Sequence, residues 1–231
     1  MESDGLPLRA HSIIVGNSGS GKSNTVISLI IRKIRDEQHF HIIDTKYELG
    51  PIFKRTKNVW ITKPEHAEAK FDELIAMAKM RQVMFEQASE LCKCKVSDYG
   101  DYYKVTGLKM PVITLIVEEL LITMAYVNET KLNELLSAGR SAGIFVTCCA
   151  QYLNAKVLGK YGTVNFNTRV YLGRYDDVAF RVLFGNLDKV KLDEFKNYVG
   201  APGKAITEID GQFGMKQMPR ITEAQLQEYF Q

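Results

Sequence analysis

HSIIVGNSGSGKSN, residues 11–24, runs an apolar segment (Ile13, Ile14, Val15) into a glycine-rich turn and out into an apolar pattern of helical spacing (Val26, Ile27, Leu29, Ile30). Gly16, Gly21, Lys22 and Ser23 complete G-x-x-x-x-G-K-S, the phosphate-binding loop, in the strand–loop–helix setting that the motif requires. Glycines let the backbone close around phosphates with its N–H groups pointing inward. The helix N-terminus adds a favourable dipole, Lys22 a point charge for the β- and γ-phosphates, and the Ser23 hydroxyl a ligand for Mg²⁺. The stretch therefore predicts a site for ATP built from Gly16, Asn17, Ser18, Gly19, Ser20, Gly21, Lys22, Ser23 and Asn24.

The chain has 231 residues, 45% of them hydrophobic, enough to bury a full core, and its length fits one domain over residues 1–231 better than two small ones. A stretch of about 18 uncharged apolar residues, which a membrane span needs, does not occur; the nearest, Val112 to Tyr126, carries Glu118 and Glu119 in its middle. MESDGLPLRAH at the N-terminus has no apolar signal-peptide core. Four cysteines, Cys92, Cys94 and the pair Cys148-Cys149, fit neither a disulfide framework nor a zinc spacing, so a reducing cytoplasm is expected. A net charge of +3 does not by itself announce nucleic acid.

Downstream, residues 23–36 read as a helix and 39–43 as a strand running into Asp44-Thr45-Lys46. Residues 58–61 read as a short strand, and Lys63-Pro64-Glu65 opens a long helical pattern through Phe71, Leu74, Ile75, Ala78 and Phe85. Residues 93–110, polar and rich in tyrosine, are expected as a loop with one helical turn whose tyrosines cover the core. PVITLIV (111–117) and GIFVTCCA (143–150) are continuous apolar runs of strand length, the pattern of strands covered on both faces. A helix is expected at 129–142, a strand at 169–172, helices at 176–184 and 187–198, and a hairpin around Asp210-Gly211. Thr222 with Gln225 forms a capping-box pattern for a terminal helix over 222–230. Alternating strands and helices predict an α/β fold: a RecA-like P-loop NTPase with a mainly parallel central sheet, helices on both faces, and a small C-terminal hairpin and helix.

Ligands of open α/β sheets bind at the carboxyl ends of the strands. Glu118 and Glu119 follow the 111–117 run directly, so Glu118 is assigned to the Mg²⁺ shell and Glu119 to the attacking water; the competing reading makes them caps of the next helix. Gln151, ending the next buried run, is placed to sense the γ-phosphate or position water, unless it is simply solvated.

Together these segments resemble the motor domain of the FtsK/SpoIIIE family of DNA translocases, in the HerA–FtsK branch of ring ATPases. Besides GNSGSGKS, Asp44-Thr45-Lys46-x-Glu48-Leu49 resembles that family's D-P-K-x-x-E-L, Met80-Arg81 with the later Asp98-Tyr99 its M-x-x-R helix and x-Y-N element, and Gly139-Arg140-Ser141-Ala142-Gly143-Ile144 its R-A-A-G-I-H. Cys149-Ala150-Gln151 stands where the family has A-T-Q, and Asn165-Phe166-Asn167-Thr168-Arg169 where it has N-I-P-T-R. Pro202-Gly203-Lys204-Ala205 and Pro219-Arg220-Ile221-Thr222 resemble its nucleotide-side turn and closing strand-to-helix step. The resemblance implies a hexameric ring that spends ATP to pull double-stranded DNA through its centre, with a neighbour's arginine reaching each nucleotide. Related conjugative ATPases carry that arginine upstream of the glutamine strand, which points to Arg140, equally readable as a helix-end cation; Arg169 is the second candidate, as a sensor in cis. Pore loops of such a ring touch phosphates, not bases. The loop after Gln151 offers Asn154, Lys156, Lys160 and Tyr161 for that contact, or as ordinary solvated side chains.

The chain departs from the family where Glu118 replaces aspartate and Tyr152 an arginine; without membrane helices, a separate pore-lining domain or a winged helix in this sequence, the expectation is a bare motor or a fragment of a larger protein. The expectation is a cytoplasmic, ATP-driven double-stranded DNA translocase of a plasmid, mobile element or virus, recruited by a partner protein. Viral genome packaging and conjugative coupling are variants of the same motor. A nucleotide-switched binding module with negligible turnover is the alternative of another class.

Overall fold

A computed structural model describes residues 5–154, 158, 162–222 and 224–226. In chain order its elements are β1 (Ser12–Gly16), α1 (Lys22–Arg35), β2 (His39–Ile43), α2 (Gly50–Phe53), β3 (Val59–Thr62), a 3₁₀ turn (Pro64–His66) and α3 (Ala67–Cys92). There follow α4 (Tyr99–Thr106), β4 (Ile113–Val117), α5 (Leu120–Thr123), α6 (Glu129–Gly139), β5 (Ile144–Ala150) and β6 (Thr168–Leu172). The chain closes with α7 (Asp177–Phe184), α8 (Lys189–Tyr198), β7 (Lys204–Ile209) and β8 (Gln212–Gln217).

The strands form one sheet in the order β3-β2-β4-β5-β1-β6-β7-β8. The first six are parallel, with Val15 opposite Ala150, Gly16 opposite Leu172 and Ile43 opposite Val117. This register brings the carboxyl ends of β1, β2, β4, β5 and β6 to one edge of the sheet, so the segments after Gly16, Ile43, Val117, Ala150 and Leu172 all emerge together. Antiparallel β7 and β8 extend the same sheet, their turn made by Asp210 and Gly211 at φ 48° and 82°. Positive φ at both central residues matches strand twist, which is why Asp-Gly was legible as a hairpin.

Alternation along the strands divides the core. Ile13, Val15, Leu115, Val117 and Val146 pack on α3, α6 and α7, while Ile14, Ile42, Ile116 and Cys149 pack on α1 and α2. Both faces are thus dry, and the central strands can be continuously apolar. Arg81 is a structural clamp from α3: its buried guanidinium donates to the carbonyls of Ala142 (2.6 Å) and Pro111 (2.9 Å), pinning the entries of β5 and β4.

Residues 93–110 hold more helix than expected. The carboxylate of Asp98 accepts from the N–H groups of Gly100 and Asp101, both at 2.8 Å, and starts α4, which Gly107 ends at φ 72°. Tyr102 is buried against Phe85, as a core-covering tyrosine should be, but Tyr103 is exposed. The helix expected at 129–142 stops at Gly139. Thr222 and Gln225 do make the capping box: Gln225 N–H donates to Thr222 Oγ1 and Thr222 N–H to Gln225 Oε1; of the span expected as a terminal helix, residues 223 and 227–230 lie outside the described residues. Among the described residues no helix is long and apolar enough to cross a membrane.

Candidate nucleotide site

β1 delivers the chain to Gly16, where a side chain would meet the Ser20 hydroxyl at 2.5 Å and the Leu172 carbonyl at 3.0 Å. Gly19 and Gly21 adopt φ of 75° and 96°, the left-handed region that glycine enters without strain. The loop is braced from three sides. Gly203 N–H donates to the Ser20 carbonyl (2.8 Å), Arg174 N–H to Asn17 Oδ1 (3.3 Å), and Ile221 N–H to Asn24 Oδ1 (2.9 Å). The side chains of Asn17 and Asn24 therefore hold neighbouring segments in place. A cavity of about 590 Å³ opens over the loop, its lining including Lys22, Ser23, Asn24, Lys46, Glu48, Glu118 and Gln151. Pro202, Gly203 and residues 217–220 line it as well. Ser20 sits beneath, its buried hydroxyl without a hydrogen-bond partner among the described residues.

Both strand-end carboxylates are at this edge and nearly buried, 6% exposed for Glu118 and 5% for Glu119. Neither side chain caps α5, so the capping alternative does not describe them. Oε2 of Glu118 takes three donors from the loop after β2: Thr45 N–H at 2.7 Å, Thr45 Oγ1 at 2.9 Å and Lys46 N–H at 2.8 Å. Burial, then the neighbouring carboxylate of Asp44, holds Glu118 above the usual carboxylate range. Its Oε1 is buried and without a partner among the described residues. An orphaned carboxylate oxygen in the wall of a cavity that also presents the Ser23 hydroxyl is a donor set that fits Mg²⁺.

Glu119 is placed differently. Its Oε2 lies 3.1 Å from the Lys46 ammonium, and its Oε1 accepts the Gln151 N–H at 3.2 Å. Ser23 Oγ donates at 3.2 Å to Glu48, from the same loop as Lys46. That loop is folded by Asp44, whose carboxylate accepts from Glu48 N–H (3.2 Å) and Gly50 N–H (2.6 Å); a side chain at Gly50 would collide with it. Lys46 and Glu48 are the site residues to which the sequence attached no role. The signal was present, since they follow the end of a buried parallel strand as Glu118 and Glu119 do.

Other candidates fall elsewhere. Arg140 lies before β5, at the opposite end of the sheet, exposed beside Arg9, Asp98 and Tyr99. Arg169 does not reach the cavity as a sensor in cis: it is opposite Ile13, well below the loop, and paired to Glu208 at 2.9 Å. Of the loop proposed to meet DNA, Asn154 is described and exposed, while Lys156, Lys160 and Tyr161 lie outside the described residues.

No family model matches the chain. Against known proteins, it is 26% identical over 198 residues to the FtsK domain-containing protein YdcQ of Bacillus subtilis (strain 168), covering 83% of this chain and 39% of that protein. Its fold superposes on the monomer form of the pCW3 conjugation coupling protein TcpA with ATPγS at a TM-score of 0.77 and 18% identity, over 96% of this chain and 64% of that one. The chain has the fold of that coupling protein. EssC (ATPases 2 and 3) from Geobacillus thermodenitrificans shares it at TM-score 0.70 and 18% identity, over 95% of this chain and 42% of that one. The genome packaging NTPase B204 of Sulfolobus turreted icosahedral virus 2, in complex with ATPγS, shares it at TM-score 0.55 and 15% identity, over 94% and 100%. The chain thus spans less than half of YdcQ and just under two thirds of TcpA. In this chain the parallel sheet puts the β1 loop and the carboxylates after β4 on one edge, around the cavity.

Proposed function

We propose that this chain is a motor ATPase domain that hydrolyses ATP at the β1 loop and uses it to move double-stranded DNA without regard to sequence. The observation that carries the reading is the convergence of Lys22, Ser23, Glu118 and Gln151 on one cavity, within a fold shared with a conjugation coupling protein and a DNA-packaging ATPase. Lys22 and the loop N–H groups bind the polyphosphate. Ser23 and the free oxygen of Glu118 would hold Mg²⁺, which offsets the phosphate charge when bound. Glu119 orients and deprotonates the attacking water, and Gln151 faces the γ-phosphate. Pro202, Gly203 and residues 217–220 enclose the base.

Arg140, remote from its own cavity, is proposed to serve the neighbouring subunit of a ring, a hexamer in this reading. The loop beginning at Asn154, with Lys156, Lys160 and Tyr161, would grip DNA phosphates in a cytoplasmic assembly, to which a partner protein brings the DNA. Steady-state ATP hydrolysis with and without duplex DNA tests this, with mass measurement in ATP analogue and DNA. Stimulation by duplex DNA and a ring-sized mass are expected. Absence of hydrolysis overturns the ATPase; hydrolysis indifferent to DNA overturns the cargo, as a motor for polypeptide would behave.

A further inference from the structure

Of the described residues, the cavity wall includes Lys46, Glu118 and Gln151 but not Glu119. The carboxylate that should activate water has one oxygen on the Lys46 ammonium at 3.1 Å and the other on the Gln151 N–H at 3.2 Å. Lys46 itself faces the cavity and is a quarter exposed, against 6% for the Glu119 side chain. The cation standing between base and substrate is therefore one that the substrate can touch.

We infer that Lys46 is a positioning residue that latches Glu119: it holds the base out of reach until a triphosphate draws the ammonium away. The inference rests on the ATPase reading above. With one oxygen on the ammonium and the other on the Gln151 N–H, the carboxylate has no oxygen turned to a water in the cavity. A γ-phosphate carries more negative charge than a carboxylate, so its arrival beside Lys46 favours transfer of the ammonium to it. The nucleotide that ends in the β-phosphate extends less far and leaves the latch shut. The backbone under Lys46 stays fixed throughout, because its N–H and that of Thr45 are held by Glu118 and the loop by Asp44. Only the flexible four-carbon stem has to swing.

Lys46→Met and Lys46→Arg in the full chain test the latch, with KM and kcat measured without DNA and binding of fluorescent ATP and ADP analogues alongside. Lys46→Met should raise the unstimulated kcat by about fivefold, the rate equivalent of one partly exposed ion pair, and raise KM as the ATP-over-ADP preference shrinks. Lys46→Arg should keep the low unstimulated kcat. An unchanged or lower kcat in folded Lys46→Met overturns the latch, and so does a kcat in Lys46→Arg that rises as far. A wild type that turns over normally with Lys46→Met no faster leaves the ATPase standing and removes the latch alone; a wild type that binds no triphosphate removes both.

Discussion

Thr45 meets Glu118 with two donors, its backbone N–H at 2.7 Å and its hydroxyl at 2.9 Å. These are two positions where the chain departs from the motifs it resembles, D-P-K and an aspartate after the strand, which carry proline and aspartate there. Proline supplies neither donor, and aspartate is one methylene shorter, so the two departures fit each other. Thr45→Val, which removes only the hydroxyl, should cost about 1 kcal/mol, and Thr45→Pro about 1–3 kcal/mol, by leaving buried acceptor capacity unmet. Combined with Glu118→Asp, Thr45→Pro should cost less than the sum of the single changes, by about 1 kcal/mol in a urea-unfolding double-mutant cycle. Strict additivity would mean that the two positions are independent.

The bond from Ser23 to Glu48 gives a second expectation. Because Glu118 is turned toward Thr45, the carboxylate beside the loop hydroxyl is Glu48. Glu48→Gln should leave nucleotide binding in EDTA unchanged and weaken the tightening that Mg²⁺ brings by about tenfold, the usual effect of losing a partner of a metal ligand. Titration of a fluorescent ATP analogue with and without Mg²⁺ measures it.

Binding and chemistry should separate cleanly. Lys22→Ala removes a charge-assisted phosphate contact and should weaken ATP binding about 10–100-fold. Glu119→Gln keeps the cavity wall intact, so binding should survive while hydrolysis falls by about 10²–10⁴-fold. Full turnover in Glu119→Gln would hand the role of base to Glu118.

Much of this was legible in the sequence, for identifiable reasons. The phosphate loop fixes β1, α1 and their turn through glycine geometry, and strands buried on both faces betray themselves as unbroken apolar runs such as ITLIV. Strand ends then locate Glu118, Glu119 and Gln151. The four-residue helices α2 and α5 are too short to show a period, and α4 was hidden because its start depends on the Asp98 side chain rather than on an apolar stripe. Lys46 and Glu48 needed coordinates for a similar reason. Which side chains of that loop turn toward Glu119 and Ser23 is set by Asp44 folding the segment onto Gly50, and spacing does not encode that.

Lys33 predicts a pH dependence. It is fully buried on α1, its ammonium 3.2 Å from Thr114 Oγ1, which in turn donates to Gln38. Burial first, then the nearby Arg32, pushes it down to about 7 from 10.5, against the pull of Asp36. Above pH 7 the unfolded chain therefore holds more protons at this group, so its contribution to stability rises with pH, by up to ~1.4 kcal/mol per unit. Near pH 9 the buried thiols of Cys148 and Cys149, held protonated by burial, begin to oppose it. Lys33→Met should raise the melting temperature at pH 7 and flatten the slope between pH 7 and 9. A slope unchanged in Lys33→Met would assign it to another group.

Arg140 offers the test of assembly. From the entry of β5 to the cavity edge is about 20 Å of strand, far beyond the reach of a guanidinium, so no role in its own site is open to it. Arg140→Ala should therefore leave ATP binding untouched and lower turnover about 10²-fold or more if it stabilises the transition state across an interface. Mixing carries the decisive information. Arg140→Ala subunits have intact cavities, and Lys22→Ala subunits have an intact arginine; in a ring that exchanges subunits, the mixture should recover activity that neither variant shows alone. Recovery requires a wild-type cavity beside a wild-type arginine, which only mixed neighbours supply. Mixtures that stay as inactive as their components, with exchange verified by mass measurement, would confine Arg140 to its place beside Arg9 and Asp98.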